Sequence, residues 1–201
     1  MRRLVMLRLT VLLLASAVLS GCRSLAPSPS PLAAVAGKLQ TRNNAASLLY
    51  DLLEDEQNLS KLLLIKRETD ELDRLVKNIS SSAAAGVKEL KRMSKADPTL
   101  DLKALALPSG EVATRKAISK SKASSLLHSS GADFEFKLLL TQVQALNYGA
   151  HLTRIAAENE PNPEHAREFS ALGAEMERLY QQTVHLLQER AVPVSCERST
   201  R

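Results

Sequence analysis

The sequence predicts an all-α protein built as a four-helix bundle, and three observations lead to that prediction. Leu and Ala dominate a chain that has no Trp, three Phe and three Tyr, which is a composition typical of helical bundles. Apolar residues recur at intervals of three and four residues in four long segments. No segment alternates apolar and polar residues as a half-buried strand does.

The first two helices are predicted to form a hairpin. An unbroken helix over residues 44–95 would be roughly 78 Å long, which exceeds a small domain, so the chain must turn within it. We place the turn at residues 66–71, because basic residues can end one helix there and Thr69 can cap the next. Ser80–Ser82 offers a weaker alternative break. The second helix should stop before Asp97 and Pro98.

The second half of the chain predicts another hairpin behind a long crossover. Residues 97–110 have the composition of a loop, and a shorter helix should run from Glu111 to about His128. A long helix should then extend from Gly131 to about Glu158. Asn162 is the expected N-cap of the last helix, which should run from Pro163 to about Arg190.

Two hairpins joined by one long crossover describe the ferritin-like arrangement rather than a simple up-and-down bundle. The four long helices have matched lengths of about 36 to 42 Å. The predicted core stripes of the last two are Phe134, Leu138, Gln142, Ala145, Leu152 and Ile155, followed by Phe169, Leu172, Met176, Leu179, Thr183 and Leu186.

Residues 1–21 have the pattern of a lipoprotein signal peptide. Three arginines precede an apolar run from Leu9 to Val18, which is too short to cross a bilayer permanently. The run ends in Leu19-Ser20-Gly21-Cys22, which resembles the lipobox. We therefore expect cleavage between Gly21 and Cys22 and attachment of a diacylglycerol to the Cys22 thiol.

The lipid on Cys22 would anchor the mature chain to a membrane, since two or three acyl chains hold a protein stably. Arg23 follows the cysteine in place of Asp, which predicts the outer membrane of a bacterial envelope, facing the periplasm. Residues 22–43 are expected to form a Pro/Ser-rich tether, residues 44–190 the bundle, and residues 191–201 a flexible C-terminal tail.

The charge of the mature chain does not favour nucleic-acid binding. Removing residues 1–21 takes away three of the 27 Lys and Arg and none of the 22 acidic residues, which leaves 24 basic against 22 acidic side chains. A local excess remains in residues 88–122, with nine basic and four acidic residues. Docking to anionic lipid or cell-wall polymer is one interpretation, and a solvated helix face is the favoured one.

Three short segments resemble a ferritin-like family of bacterial envelope proteins, described only as a domain of unknown function and as putative outer-membrane proteins. They are Asp55-Glu56-Gln57-Asn58-Leu59-Ser60, Leu105-Ala106-Leu107-Pro108 and Gly131-Ala132-Asp133-Phe134-Glu135. The resemblance implies a ferritin-like bundle outside the cytoplasm and no agreed activity.

A ferritin-like metal centre is not predicted, because Glu-x-x-His pairs are absent. Ser125, Tyr148, Asn162 and Gln182 stand three residues before His128, His151, His165 and His185. The predicted middle layer holds Asp55, Glu56, Ser81, Ser82, Gln144, Glu175, Met176 and Glu177, which leaves a degenerate metal site as the less favoured alternative. His151 and His185 are predicted to be surface residues.

No catalytic arrangement emerges either. No serine lies in a Gly-x-Ser-x-Gly turn, and Cys196 lies in the predicted tail without a base near it. We therefore expect no enzyme activity, no metal and no other cofactor. The favoured hypothesis is a lipoprotein whose bundle is a structural or protein-interaction module, with envelope proteins or cell-wall polymer as candidate partners. The alternative is a ferritin-like metal-binding or stress-related protein.

Overall fold

A computed structural model of the chain describes residues 30–64, 69–104 and 107–191. All regular structure in these ranges is helical, which confirms the predicted all-α class. The chain divides into two compact units, residues 1–34 and 35–201, and the packing below is that of the second unit. None of the described helices is long and apolar enough to cross a membrane.

The described residues contain five α-helices and one 3-10 helix. In chain order they are α1 (Pro31–Glu56), a 3-10 helix (Leu59–Leu64), α2 (Asp70–Ala96), α3 (Ser109–His128), α4 (Gly131–Glu158) and α5 (Pro163–Ala191).

Two predicted helix starts are confirmed by their capping bonds. The Thr69 hydroxyl accepts a hydrogen bond from the backbone N–H of Leu72 at 3.4 Å, so it caps α2. The Asn162 side chain accepts from the backbone N–H of Glu164 at 2.9 Å, one residue inside α5. Both caps accept from backbone N–H groups of the first helical turn, which have no acceptor within the helix.

The start of α1 differs from the prediction, because the helix begins at Pro31 inside the segment predicted to be tether. The Ser30 hydroxyl accepts from the backbone N–H of Ala33 at 3.3 Å, and Pro31 occupies the first helical position, where it needs no N–H partner. A Ser-Pro pair that suggests an extended tether therefore acts as a helix start. Residues 31–38 are exposed.

The end of α1 also differs from the prediction. The helix stops at Glu56, ten residues before the predicted turn region at 66–71. The Asn58 side-chain amide donates to the Glu54 carbonyl at 2.9 Å, which satisfies an acceptor at the helix end. The Ser80 hydroxyl donates to the Glu56 carbonyl at 3.2 Å and accepts from the Ser60 N–H at 2.9 Å. Ser80 thus stabilises this turn, and α2 is continuous through Ser80–Ser82.

Two apolar clusters form the core of the bundle. The first contains Ala45, Ala46, Leu49, Leu53, Ala83, Val87, Leu90, Met93, Leu100, Leu152, Ala156, Phe169 and Met176. The second contains Leu59, Leu72, Leu75, Val76, Ile79, Leu126, Phe134, Leu138, Leu139, Leu146, Leu179 and Leu186. Nine of the twelve predicted stripe residues of α4 and α5 are buried, while Ala145, Ile155 and Leu172 are half-buried.

Helices α4 and α5 approach each other closely at two glycines. A Cβ atom on Gly149 would lie 2.5 Å from the Met176 sulfur, and one on Gly173 would lie 2.5 Å from the Thr153 hydroxyl. No real side chain tolerates such distances without displacing its neighbour, so the two glycines allow the tight packing of this hairpin.

Helix α3 packs much less completely than the other helices. Leu126 is its buried residue, whereas Val112, Ile118 and Leu127 are each about half exposed. An open groove therefore lies between α3, α1 and α4.

Candidate functional site

The predicted lipid-attachment residue Cys22 and the cleavage residue Gly21 lie outside the described residues, as does Cys196. The predictions about lipidation, cleavage and the C-terminal tail therefore stay predictions.

The middle layer of the bundle contains a small cavity of about 30 Å³, lined by Glu56, Ser82, Glu175 and Met176 among apolar side chains. That volume is large enough to hold a water molecule. Four of the predicted middle-layer residues thus converge. Ser81 and Glu177 are exposed instead.

Glu56 is the most perturbed acid of this layer. Burial raises the pKa of Glu56 to about 7, and the Asp55 carboxylate adds to that increase, while Gln142 and Lys122 oppose it. The Oε2 atom of Glu56 and the Oε1 atom of Gln142 are buried without a hydrogen-bond partner among the described residues. Protonation turns a carboxylate into a donor, so the neutral form of Glu56 suits this environment.

Glu175 lines the same cavity, but its pKa is shifted in the opposite direction to that of Glu56. Hydrogen bonds from Arg178, and to a smaller extent from the Ser82 hydroxyl, lower the pKa of Glu175 below its ordinary value, although burial raises it. The Ser82 hydroxyl donates to Glu175 at 2.7 Å. Within the part of the chain that the structure describes, no histidine lines the cavity, so this layer offers two carboxylates without the imidazoles that di-metal centres use.

The groove beside α3 has a volume of about 550 Å³ and carries charge of both signs. Asp55 and Glu56 line it from α1, and Arg115 and Lys122 line it from α3. Arg115 donates to Glu111 and to the Tyr148 hydroxyl, both at 2.7 Å. Lys122 donates to Gln144 at 2.7 Å. These two basic side chains of the 88–122 segment therefore have partners within the chain.

A second polar cluster lies at one end of the bundle, around the fully buried Arg42 of α1. Its Nη1 donates to Asp97 at 3.1 Å and to Glu160 at 3.2 Å. Its Nη2 donates to the carbonyl and the hydroxyl of Thr99, and its Nε donates to Asn43 at 3.0 Å. All five N–H groups of the guanidinium can thus be satisfied, as burial of a charge requires.

The two carboxylates of this cluster are held by backbone groups as well. The Asp97 carboxylate accepts from the Thr99 N–H at 2.9 Å, and Glu160 accepts from the Asn162 N–H at 2.9 Å. Burial raises the pKa of Asp97, but hydrogen bonds from Thr99 and the Arg42 charge outweigh it and hold that pKa below its ordinary value.

His165 completes the cluster from the first turn of α5. One oxygen of Asp97, one oxygen of Glu160 and one ring nitrogen of His165 lie within 4.8 Å of one another. His165 is 5% exposed, and its Nδ1 atom is buried with no hydrogen-bond partner among the described residues.

Sequence reasoning missed this cluster because its members lie outside the predicted helix stripes. Arg42 falls in the predicted tether, Asp97 follows α2, and Glu160 lies in the turn between α4 and α5. A buried acid in a turn beside a capped helix start gives no distinct sequence signal. His165, Glu160 and Asn162 are close in sequence, and that spacing was the one available indication.

No family model, curated protein or solved structure matches this chain. The class of protein that the fold defines is therefore an all-α helical bundle with polar clusters in its middle layer and at one end.

Proposed function

We propose that the chain is a bacterial envelope lipoprotein, anchored through lipid on Cys22 in the outer membrane and facing the periplasm. Its helical domain serves as a structural or protein-interaction module and carries out no enzymatic reaction. We further propose that α1, α2, α4 and α5 form a ferritin-like four-helix bundle, with α3 in the crossover.

The observation that carries the interaction role is an exposed apolar pair on α4. Phe136 and Leu140 lie one helical turn apart, so their side chains are neighbours, and they are 44% and 41% exposed. Apolar side chains grouped on a surface mark protein contact sites more often than scattered ones do. Mature lipoproteins meet their partners in the periplasm, where such a surface would be available.

The proposed arrangement of helices is supported by three observations. A Cβ on Gly86 of α2 would lie 2.9 Å from Leu53 of α1, so these two helices touch. Leu179 of α5 belongs to the same apolar cluster as Ile79 of α2. The α4–α5 hairpin packs closely at Gly149 and Gly173.

Photocrosslinking in intact cells tests the interaction role. A photoreactive amino acid at Leu140 should give discrete crosslinked products, because it lies within the apolar surface. The matched position is Gln181, an exposed polar residue of α5, which should give none. Equal product patterns at the two positions, or none at Leu140, would contradict the proposed surface.

Replacement of Cys22 by Ala tests the anchor. We expect an unprocessed, unlipidated chain, because the thiol is both the acylation site and the requirement for cleavage. Mass spectrometry of the membrane fraction measures this. A Cys196→Ser variant should be processed normally, and normal acylation of the Cys22→Ala chain would refute the lipoprotein assignment.

The alternative function, a ferritin-like metal-binding or stress-related protein, is favoured by one observation. Glu56 and Glu175 line the same cavity from different helices. The raised pKa of Glu56 weighs against it, because a carboxyl group with a pKa of about 7 is only partly ionised at neutral pH and metal ligation requires the ionised form. Metal content that falls in Glu56→Gln or Glu175→Gln would support this alternative.

A further inference from the structure

We propose that Asp97, Glu160 and His165 bind one divalent transition-metal ion of the Zn²⁺ type at the end of the bundle. This inference goes beyond the proposed interaction role, which does not depend on it. It also departs from the sequence expectation that the chain holds no metal, since that expectation was based on the absence of Glu-x-x-His pairs.

The geometry of the three side chains is close to that of a metal site. Their ligand atoms lie within 4.8 Å of one another. A tetrahedral ion with bonds of 2.0–2.2 Å separates its ligands by about 3.4 Å, so a contraction of at most about 1.4 Å completes the site. Asp97 follows the end of α2 and is 22% exposed, so its side chain can make that adjustment if its hydrogen bonds to Arg42 and Thr99 shift with it.

The state of His165 is an independent indication of a ligand. A ring nitrogen of histidine that is buried without a partner is unfavourable, whether it is the donor or the acceptor of the tautomer present. Nδ1 of His165 is such an atom among the described residues. Coordination of an ion in this cluster would supply the missing interaction.

The charge of the cluster also favours a cation. Arg42 contributes one positive charge against the two carboxylates, which leaves one negative charge in a buried setting. Asp97 Oδ2 and Glu160 Oε2 each accept from the Arg42 Nη1, and a carboxylate oxygen retains a second lone pair after one such bond. Arg42 would therefore orient the two carboxylates by hydrogen bonds without binding the ion itself. Its positive charge would limit the affinity for the ion to a moderate value.

The donor set selects the class of ion. One imidazole nitrogen with two carboxylates suits Zn²⁺, Mn²⁺ or Fe²⁺, whereas Ca²⁺ and Mg²⁺ prefer oxygen ligands alone. A bound ion would connect the segment after α2, the α4–α5 turn and the first turn of α5. Because it binds only the folded arrangement, it would stabilise the fold in proportion to its concentration.

Calorimetric titration with ZnCl₂ tests the site in the full-length chain. The protein for this experiment is produced without a histidine tag and is freed of metal with a chelator. Cys22 and Cys196 are replaced by Ser, because free thiols bind Zn²⁺ themselves. We expect one ion per chain with a dissociation constant on the order of micromolar. Saturating Zn²⁺ should also raise the melting temperature by several degrees.

Two variants and one control assign the binding to this cluster. His165→Gln and Asp97→Asn should each weaken Zn²⁺ binding at least tenfold, and Zn²⁺ should no longer raise their melting temperatures. His185→Gln, at an exposed position on α5, should behave like the parent chain. Asp97→Asn keeps the size of the side chain at a partly exposed loop position, so it tests the site even if His165→Gln fails to fold. Absence of saturable binding below about 1 mM, or unchanged affinity in Asp97→Asn or a folded His165→Gln, would overturn the proposal.

Discussion

Arg42 determines the packing at one end of the bundle through its hydrogen bonds. Its side chain is 0% exposed, and so is that of Glu160, while Asp97 is 22% exposed. Ion pairs of this kind add little net stability over apolar packing, but the loss of one partner leaves the other charge buried and unpaired. Arg42 is therefore important for stability chiefly because its removal would leave a carboxylate buried and unpaired.

We predict that Arg42→Met destabilises the fold by about 3 to 5 kcal/mol, because it leaves Glu160 buried without its counter-ion. Urea unfolding followed by circular dichroism measures the free energy of unfolding. Arg154→Met, at an exposed position on α4, is the matched control and should change it by less than about 0.5 kcal/mol. A similar small effect for Arg42→Met would show that the guanidinium is replaceable.

Glu56 predicts a pH dependence of stability. Its folded-state pKa of about 7 lies above the ordinary value of 4.5, so between these values the folded state binds more protons than the unfolded state. Its contribution to stability is therefore fully present below pH 4.5 and is lost as the pH rises through 7. We expect a loss of about 1 to 3 kcal/mol from this group.

Unfolding measurements at pH 5 and pH 8 check this prediction in wild type and Glu56→Gln. The variant cannot ionise, so it should gain stability relative to wild type at the higher pH. Glu175→Gln is the control, because the pKa of Glu175 is lowered in the folded state and its ordinary value of 4.5 keeps the group mostly ionised in the unfolded state over this range. A Glu56→Gln difference that does not change with pH would contradict the assigned environment.

At the scale of single elements, α4 presents two leucines of opposite environment. Leu138 is 0% exposed in the second apolar cluster, whereas Leu140 is 41% exposed. We expect Leu138→Ala to cost about 2 to 5 kcal/mol through lost burial and the cavity it leaves. Leu140→Ala should stay within about 0.5 kcal/mol of wild type.

The measurement is again the urea midpoint, compared at constant slope. Equal effects of the two substitutions would mean that α4 is rotated relative to the orientation described here. The same reasoning applies to the interaction surface, because Leu140→Ala should weaken crosslinking from a photoreactive amino acid placed at Phe136 without weakening the fold.

At the scale of the whole molecule, the exposed start of α1 can be separated from the bundle. Residues 31–38 are exposed, while Arg42, Ala45, Ala46 and Leu49 are buried. We predict that a chain beginning at Gly37 is predominantly helical by circular dichroism and melts within a few degrees of the full chain.

A chain beginning at Leu52 is the matched comparison, since it removes the four buried residues of α1 named above. It should lose cooperative melting, because the first apolar cluster and the Arg42 cluster would both be incomplete. Identical melting of the two truncated chains would show that α1 contributes nothing to the core before Leu52.

Apolar spacing and capping residues determined the helical class and most helix boundaries from the sequence alone. The periodicity of Phe134 and Leu138 places both on a buried stripe, and Thr69 and Asn162 cap helices because their side chains act within three residues. Such features depend on local backbone geometry, so the sequence contains them directly.

The tertiary structure decided the features that depend on contacts between distant segments. The turn after α1 is held partly by Ser80, twenty residues beyond Ser60, and a contact over that separation cannot be read from local spacing. Arg42 meets Asp97 and Glu160 across separations of 55 and 118 residues. An arginine near a Pro/Ser-rich segment has the pattern of a solvated residue until folding brings two carboxylates to it, because burial of charge is determined by partners and not by the residue's own preference.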